Sequence, residues 1–208
     1  MPNLPPDLRT RKRLATRALI STAATRLFLD RGFDKVTVDD IAVAADVGRM
    51  TVFNHFPRKE DMFFDRDEEG RDAIRAALRD RAPGTSPVEA LRLLAHQLVA
   101  DNSPYISFSP AGQGFMATIA ASETLKARAR AIRDEIALVV AEALGAPDDI
   151  TARLAAGLLL ATWTEALLHG HRVFAATQDT AAAQTAFLAV IDRGSLGITA
   201  AMAGTPYA

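Results

Sequence analysis

The segment TVDDIAVAADVGRMTVFNHFPRK, at residues 37–59, restricts the fold of this chain more than any other stretch. Thr37 is a good helix cap, and the apolar residues that follow it recur at helical spacing as far as Ala45. The Asp-Val-Gly sequence that follows breaks this pattern, because aspartate tolerates left-handed backbone and Gly48 can cap a second helix. That second helix, over residues 49–56, ends at Pro57, which cannot continue the hydrogen-bond ladder. The segment therefore predicts two short helices joined by a tight turn.

The second helix is predicted to have an inner and an outer side. Val52, Phe53 and Phe56 are expected to pack inward. Arginine side chains pair with guanine and asparagine side chains with adenine in the major groove of DNA, and threonine and histidine can reach phosphates or bases. Helices this short cannot build a core alone, so we expect them to serve a surface task, and entry into the major groove is the one these residue types favour. The predicted outward residues are Arg49, Met50, Thr51, Asn54 and His55.

A longer helix is predicted from Leu8 to Arg31, ended by Gly32 and strongly basic at its start. Residues 1–60 hold 11 Lys and Arg against 7 Asp and Glu, a net charge of +4, whereas the remaining residues hold 13 against 18, a net charge of −5. This basic N-terminal region predicts contact with a phosphate backbone. Its basic cluster consists of Arg9, Arg11, Lys12, Arg13 and Arg17.

The segment from about Arg13 to Phe63, a quarter of the chain, resembles the DNA-binding domain of the tetracycline-repressor (TetR) family of transcriptional regulators. The resemblance implies that Thr37, Thr51, His55 and Lys59 contact phosphates, and that Arg49, Met50, Thr51 and Asn54 face bases. The matching residues are Ile20, Ala23, Ala24, Leu27, Phe28, Gly32, Phe33, Thr37, Val38, Ile41, Ala42, Ala45, Val47, Thr51, Phe53, Phe56, Lys59 and Glu60.

Four positions depart from the usual family pattern. Asp46 and Gly48 stand where glycine and serine are usual, and Arg58 stands where a small polar cap is common. Phe53 replaces the usual tyrosine and lacks its hydroxyl, so we predict that it is only a packing residue. These departures leave a second interpretation open, a helical small-molecule-binding or protein-interaction module that has lost sequence-specific DNA binding.

The rest of the chain is predicted to be helical, which gives an all-α fold. A three-helix helix-turn-helix domain at residues 1–58, with a disordered lead-in at 1–7, precedes a larger helical domain at residues 59–208. Ser122 is expected to cap a long helix, and Gly145 with Pro147, and later Gly170, are expected to end helices. The predicted helices cover residues 59–81, 87–101, 115–121, 122–144, 148–169, 180–193 and 196–203, and residues 102–114 are expected to be irregular.

The two long helices near the C-terminus carry apolar and small residues almost all round, which predicts cover on both sides. A second copy of the chain can supply that cover, and the resemblance likewise implies a homodimer through these helices. The expected interface residues are Leu154, Gly157, Leu158, Ala161, Glu165, Leu168, Ala182, Ala186 and Ala189.

A pocket for a small, mainly apolar effector is expected within the larger helical domain. Trp163 is the single tryptophan, and its N–H needs an acceptor, which Glu165 or a ligand could provide. The candidate lining residues are His96, Tyr105, Phe108, Phe115, Met116, Trp163, His169 and Phe174.

Several functional classes are disfavoured by composition and motifs. The chain has no cysteine, no apolar run long enough to span a bilayer and no apolar signal-peptide core, so we expect a cytoplasmic protein without a membrane partner. His169 and His171 lack a nearby carboxylate cluster, and no enzyme motif is present, so we expect no metal, no cofactor and no catalysis. We therefore predict a ligand-responsive homodimeric regulator, expected to be a repressor, that binds a palindromic operator in double-stranded DNA.

Overall fold

The structure, a computed structural model, describes residues 7–144 and 148–208. Every regular element within those residues is a helix, which confirms the all-α prediction. The residues 1–6 of the predicted lead-in, and the predicted stop at Gly145 and Pro147, lie outside the described residues. The helices are α1 (Leu8–Arg31), α2 (Val38–Ala44), α3 (Arg49–His55), α4 (Glu60–Phe63), α5 (Asp67–Arg79), α6 (Pro87–Ala100), α7 (Pro110–Ala121), α8 (Glu123–Ala143), α9 (Ile150–Thr177) and α10 (Thr180–Ala201), with a 3-10 turn at Phe33–Lys35.

The described residues form two compact units. The first unit contains residues 7–66 together with residues 117–128, and the second contains residues 67–116, 129–144 and 148–208. The domain boundary predicted after residue 58 stays a prediction. Within the part of the chain that the structure describes, no helix is both long and apolar enough to cross a bilayer.

The first unit has an aromatic core beneath α1. This helix begins after Asp7, whose carboxylate accepts a hydrogen bond from the Thr10 amide at 2.7 Å, and it ends at Gly32 with φ +84°. Both predicted ends of α1 are therefore confirmed. The rings of Phe28 and Phe33 lie 4.9 Å apart, and that of Phe63 lies 6.0 Å from the former and 6.5 Å from the latter. All three side chains are buried, so α1, the 3-10 turn and α4 share one core.

Residues 117–128 join the first unit through polar contacts that span long sequence distances. Ser122, which is 2% exposed, accepts a hydrogen bond from the Leu125 amide at 3.4 Å and so caps α8, as predicted. The same hydroxyl donates to the Asp34 carboxylate at 2.9 Å. Arg128 faces Asp61 with 3.6 Å between Nε and Oδ1. The junction between α7 and α8 is thus fixed on the 3-10 turn and α4.

The second unit is organised around α9 and α10. Its core consists of two apolar clusters, and small side chains on α9 allow the helices to approach closely in both. The first cluster includes Leu78, Val88, Leu91, Val140, Ala155, Ala156, Leu159 and Ile198, and the second includes Ala95, Ile106, Phe108, Ala166, Phe174, Ala183, Phe187 and Ile191.

The predicted linking helix over residues 59–81 is wrong as a single element, because α4 ends at Phe63 and α5 begins at Asp67. Phe64 leaves helical geometry with φ −103° and ψ 38°. Asp65, inside the break, accepts a hydrogen bond from the Ser21 hydroxyl on α1. A contact with a residue so distant in sequence could not be read from the local pattern.

The start of α7 was predicted at residue 115 and lies instead at Pro110. The Ser109 hydroxyl accepts a hydrogen bond from the Gly112 amide at 3.1 Å, as a helix cap does. Proline is favoured at the first helical position because its missing N–H would have no intrahelical partner there. The Ser-Pro pair is therefore a helix start within the stretch expected to be irregular.

Two glycines in the second unit lie inside helices that were predicted to stop at or beside them. The helix α9 continues through Gly170 to Thr177, and α10 continues through Gly194 to Ala201, so the predicted ends at residues 169 and 193 are wrong. A Cβ atom on Gly170 would lie 2.4 Å from Cζ of Phe108, and one on Gly194 would lie 2.3 Å from Cγ2 of Thr162. Both glycines are required by close packing.

We predict that Gly170→Ala lowers the free energy of unfolding. The new methyl group must displace the buried Phe108 ring, an overpacking cost of about 1–3 kcal/mol. Urea unfolding followed by circular dichroism measures this change.

The matched control is Gly70→Ala in α5. A Cβ atom there would meet Cε1 of Tyr105 at 4.0 Å, an ordinary contact, so the substitution should gain up to about 1 kcal/mol of helix propensity. Equal stabilisation of both variants would contradict the packing role assigned to Gly170.

Candidate nucleic-acid interface

The first of the two short helices, α2, begins with a reciprocal capping box. The Thr37 hydroxyl accepts a hydrogen bond from the Asp40 amide at 3.1 Å, and the Asp40 carboxylate accepts one from the Thr37 amide at 2.8 Å. Hydrogen bonds from Thr37 also hold the pKa of the Asp40 carboxyl below its ordinary value. The predicted cap at Thr37 is therefore confirmed.

The turn between α2 and α3 depends on one residue in left-handed geometry. Asp46 has φ +52°, the region that favours glycine. The Val47 amide then donates to the Ala42 carbonyl at 3.0 Å, which closes the turn. Gly48 is the N-cap of α3, as predicted, with φ −71° and no capping side chain.

The helix α3 buries one side and exposes the other. Val52 and Phe56 are fully buried, and Met50 is 70% exposed. Phe53 is 37% exposed, so its predicted inward packing is wrong. Positions 52 and 56 lie one turn apart on the same side, and each residue step rotates the helix by about 100°, which carries position 53 off that side. Arg49 and Asn54 are exposed, whereas Thr51 and His55 are half-buried.

Arg49 connects the exposed sides of α2 and α3. Its Nη1 lies 2.9 Å from Oδ2 of Asp39, and both side chains are more than half exposed, at 59% and 62%. Its guanidinium carbon lies 5.6 Å from the ring centroid of Phe53. An ion pair this exposed contributes at most about 1 kcal/mol, so a base or phosphate can displace it.

The Lys59 ammonium is directed toward the protein. It donates to the carbonyls of Phe33 and Val36, both at 2.9 Å, and it lies 4.1 Å from the centroid of the Phe33 ring. Burial lowers the pKa of this ammonium, opposed by the charges of Asp34 and Glu60. Since an ammonium has three donors, one remains for an outside acceptor. The phosphate contact of Lys59 stays a prediction.

His55 is the last residue of α3 and lies near two arginines of α1. Burial lowers the pKa of its imidazole, and the charges of Arg13 and Arg17 lower it further. Arg17 is half-buried, and its Nη1 donates to the His55 carbonyl at 2.7 Å. The other members of the predicted basic cluster, Arg9, Arg11, Lys12 and Arg13, are exposed.

The pattern of this region matches known proteins. Residues 20–65 match the tetR family of bacterial regulatory proteins. The HTH-type transcriptional regulator TcmR of Streptomyces glaucescens is 37% identical over 86 residues, which span 41% of this chain and 38% of TcmR. The family match covers 46 of the 208 residues, so the similarity it shows is that of this segment. The left-handed Asp46 explains why glycine is usual at that position of the family.

Solved structures extend the similarity from this segment to most of the fold. SmeT in complex with triclosan is 18% identical with a TM-score of 0.58, covering 88% of this chain and 91% of SmeT. NalD of Pseudomonas aeruginosa is 20% identical with a TM-score of 0.57, covering 86% of this chain and 96% of NalD. FadR of Thermus thermophilus, in complex with lauroyl-CoA, is 25% identical with a TM-score of 0.55, covering 88% of this chain and 92% of FadR.

The predicted effector residues are only partly brought together. Phe108 and Phe174 are buried in the second cluster, and Tyr105 and Trp163 pack against it. The rings of Trp163 and Phe187 lie 6.1 Å apart. Phe115, Met116 and His169 are half-buried. Open grooves are lined by α1 together with α2 or the turn after α2, and none of the eight predicted residues lines these grooves.

Two polar residues that were predicted in or beside the effector pocket, Glu165 and His96, have other surroundings in the structure. Glu165 is exposed and is two residues beyond Trp163 on α9, which turns it to nearly the opposite side, so it is not placed to accept from the indole N–H. His96 belongs to a charged cluster, with Nε2 at 2.8 Å from Oδ1 of Asp192. Arg92 donates to the same oxygen at 3.0 Å.

His171 and Gln113 are the polar groups beside the aromatic cluster that sequence reasoning left out. The Gln113 amide donates to the His171 carbonyl at 2.7 Å, and the His171 ring lies 5.1 Å from that of Phe108. Burial lowers the pKa of the His171 imidazole. Their proximity requires α9 to continue past Gly170, which the local pattern argued against. Among the described residues, no three His, Asp or Glu side chains are grouped to hold a metal ion.

The predicted dimer residues of α9 mostly form one exposed stripe. Leu158 is the exception, because it packs against the first apolar cluster. On α10, Ala189 is exposed, whereas Ala182 and Ala186 are half-buried. A Cβ atom on Gly157 would meet nothing within 4 Å. The exposed stripe consists of Leu154, Gly157, Ala161, Glu165 and Leu168.

We predict that Asp46→Gly raises the free energy of unfolding by about 0.5–1 kcal/mol. Glycine adopts left-handed geometry without the Cβ clash, and its larger unfolded-state entropy offsets part of that gain. Thermal and urea unfolding measure the difference.

Asp46→Ala is the control, since alanine keeps the Cβ atom and loses the polar side chain. It should be less stable than the parent protein. If the glycine variant were the less stable of the two, the turn would not depend on the geometry of residue 46.

Proposed function

We propose that this chain is a transcriptional regulator that binds a palindromic operator in double-stranded DNA as a homodimer, and that a small effector releases it. The observation that carries the proposal is the geometry of α3. Val52 and the C-cap residue Phe56 fix its buried side, Met50 and Asn54 lie on the opposite side, and Arg49 is exposed at its first position. The family match over residues 20–65 supports the same role.

Base recognition is assigned to Arg49, Met50, Thr51 and Asn54. Arg49 can leave its exposed ion pair with Asp39 and donate to guanine O6 and N7. Asn54 is exposed, and its amide is suited to adenine N6 and N7. The exposed methionine offers apolar contact, and the half-buried threonine lies at the edge of the surface.

Phosphate contacts are assigned to Thr37, Thr51, His55 and Lys59, at the margins of the same surface. The exposed cations at the start of α1 extend this set as a basic arm. Each neutralised phosphate releases counterions, so affinity should fall steeply with salt. Because the pKa of the His55 imidazole is lowered, the positive charge of this region at neutral pH is carried by its lysine and arginine side chains.

Dimerisation is assigned to the exposed stripe of α9 and the neighbouring surface of α10. Gly157 and Ala161 present almost no side chain, which allows the backbone of a second helix to approach closely. A two-fold pair places two copies of α3 about 34–36 Å apart, one helical turn of DNA. This spacing fits a palindromic operator.

The effector is assigned to the second unit, near Trp163 and the aromatic cluster around Phe108. A mainly apolar molecule fits these residues, and SmeT with triclosan and FadR with lauroyl-CoA support that class. The effector would displace the linking segment at residues 59–81 and alter the spacing of the two α3 helices. The effector need only bind more tightly to the protein with one spacing than with the other. A coupling free energy of about 1–3 kcal/mol between two binding sites is typical. NalD and FadR are repressors, which supports repression here.

A second candidate is a helical small-molecule-binding or protein-interaction module that has lost sequence-specific DNA binding. The exposed Phe53 favours it, because a ring without a hydroxyl lies where the family usually places tyrosine. Such a module would bind DNA weakly, without sequence preference and only at low salt.

Selection from a random duplex pool, with the full chain at near-physiological salt, tests the main proposal. We expect enrichment of a palindromic motif. Asn54→Ala should then lose about 1–3 kcal/mol of discrimination at one symmetric base-pair position. Gln97→Ala, an exposed amide truncation on α6, should select the parent motif. Salt-sensitive binding without any enriched motif would favour the second candidate instead.

Ala161→Glu tests the dimer surface. A carboxylate on the exposed stripe would be buried without a partner in the dimer, so the variant should sediment with the mass of one chain. Ala131→Glu, at an exposed position of α8, is the control and should keep the dimer mass. Dimers of both variants would exclude this face from the interface.

A further inference from the structure

Arg17 differs from the rest of the basic cluster in what its guanidinium contacts. Its Nη1 donates to the His55 carbonyl at 2.7 Å, and its Nη2 donates to the Asp65 carbonyl at 3.5 Å. Its guanidinium carbon lies 4.0 Å from the centroid of the Phe56 ring. One side chain of α1 therefore contacts both the end of α3 and the break between α4 and α5.

The His55 carbonyl is a group that needs such a partner. It lies in the last turn of α3, where backbone carbonyls have no N–H partner within the helix. The cation also lies at the negative end of the helix dipole. A planar guanidinium can stack on an aromatic ring and donate at its edge at once, which an ammonium cannot do in the same way.

Ser21 strengthens the same attachment one helical turn later on α1. It is 6% exposed, and its hydroxyl donates to the Asp65 carboxylate. Asp65 is thus contacted twice, through its carbonyl by Arg17 and through its carboxylate by Ser21. The segment that follows α3 is held to α1 at two successive turns.

A helix as short as α3 depends on such tertiary contacts. It has seven residues, and isolated helices shorter than about 12–15 residues are marginal in water. Its N-cap, Gly48, provides no side-chain hydrogen bond. The Arg17 contact at the opposite end therefore fixes an element whose start has no side-chain cap.

We propose that Arg17 is a positioning residue, which sets the direction of α3 through the His55 carbonyl and the Phe56 ring and does not contact phosphate. This inference rests on the proposed role of α3 in reading DNA. It predicts that loss of Arg17 weakens binding to the operator more than binding to unrelated DNA. It also predicts that the number of counterions released, and hence the salt dependence, stays the same.

The test compares Arg17→Gln with Arg13→Gln, which removes an exposed arginine from the same helix. Binding of the full chain to the selected operator, and to a scrambled duplex of equal length, is measured over a range of salt concentrations. Arg17→Gln should lower operator affinity by about tenfold or more, as expected for loss of a charge-assisted hydrogen bond, with the slope against salt unchanged. Arg13→Gln should weaken both duplexes alike and reduce the slope by about one for each chain.

Arg17→Lys provides the conservative variant. It keeps a charge near the His55 carbonyl without the planar fork, so it should recover only part of the operator affinity at an unchanged slope. If the Arg17 variants instead reduce the slope and weaken both duplexes equally, as Arg13→Gln should, then Arg17 contacts phosphate and the inference is wrong.

Hydrogen exchange without DNA supplies a second measurement. The Phe56 amide, which donates to the Val52 carbonyl at 2.8 Å, and its neighbours in α3 should exchange faster in Arg17→Gln than in the parent. Circular dichroism establishes that the compared variants are folded. Unchanged exchange in α3 would overturn the inference even if no operator were found, so its failure is distinguishable from failure of the proposed function.

Discussion

The burial of Val52 and Phe56 is the constraint on which the rest of the interface depends. A seven-residue helix has too few internal hydrogen bonds to persist alone, so its place in the core decides both its existence and its direction. Once these two side chains are buried, the helical repeat turns Met50 and Asn54 toward solvent, and Arg49 is exposed at the start of the helix. The capping box of α2 and the left-handed Asp46 then determine where α3 begins.

The features that local sequence predicted are those whose physical cause is local. The ends of α1, the cap at Thr37 and the caps at Gly48 and Ser122 each depend on residues within one helical turn. The errors have distant causes. Gly170 looked like a helix end because its need for close packing against Phe108 involves a residue 62 positions earlier in the chain. The same holds for the break at residue 65, which α1 stabilises.

The candidate site shows the same limit for charged residues. A count of positive charges identified a basic region but could not separate cations that face solvent from cations that hold the protein together. Lys59 donates to carbonyls of the 3-10 turn region, and Arg17 donates to a carbonyl at the end of α3. A hydrogen bond to a neutral carbonyl keeps the charge but uses donors, so fewer donors than the number of cations implies remain for an outside acceptor. Part of the basic character therefore supports the geometry of α3.

The glycines of α9 and α10 fall into two groups, those packed against a neighbouring side chain and those with open space around them. Gly170 and Gly194 have no room for a Cβ atom because a neighbouring side chain occupies the space. Gly157 and Gly197 have open space around them. A glycine inside a helix costs about 1 kcal/mol relative to alanine, so glycines that pack against nothing within the chain require a different reason. In the proposed homodimer, close approach of a second chain would supply that reason on α9 and α10, and the two-fold symmetry of such a pair would match a palindromic operator.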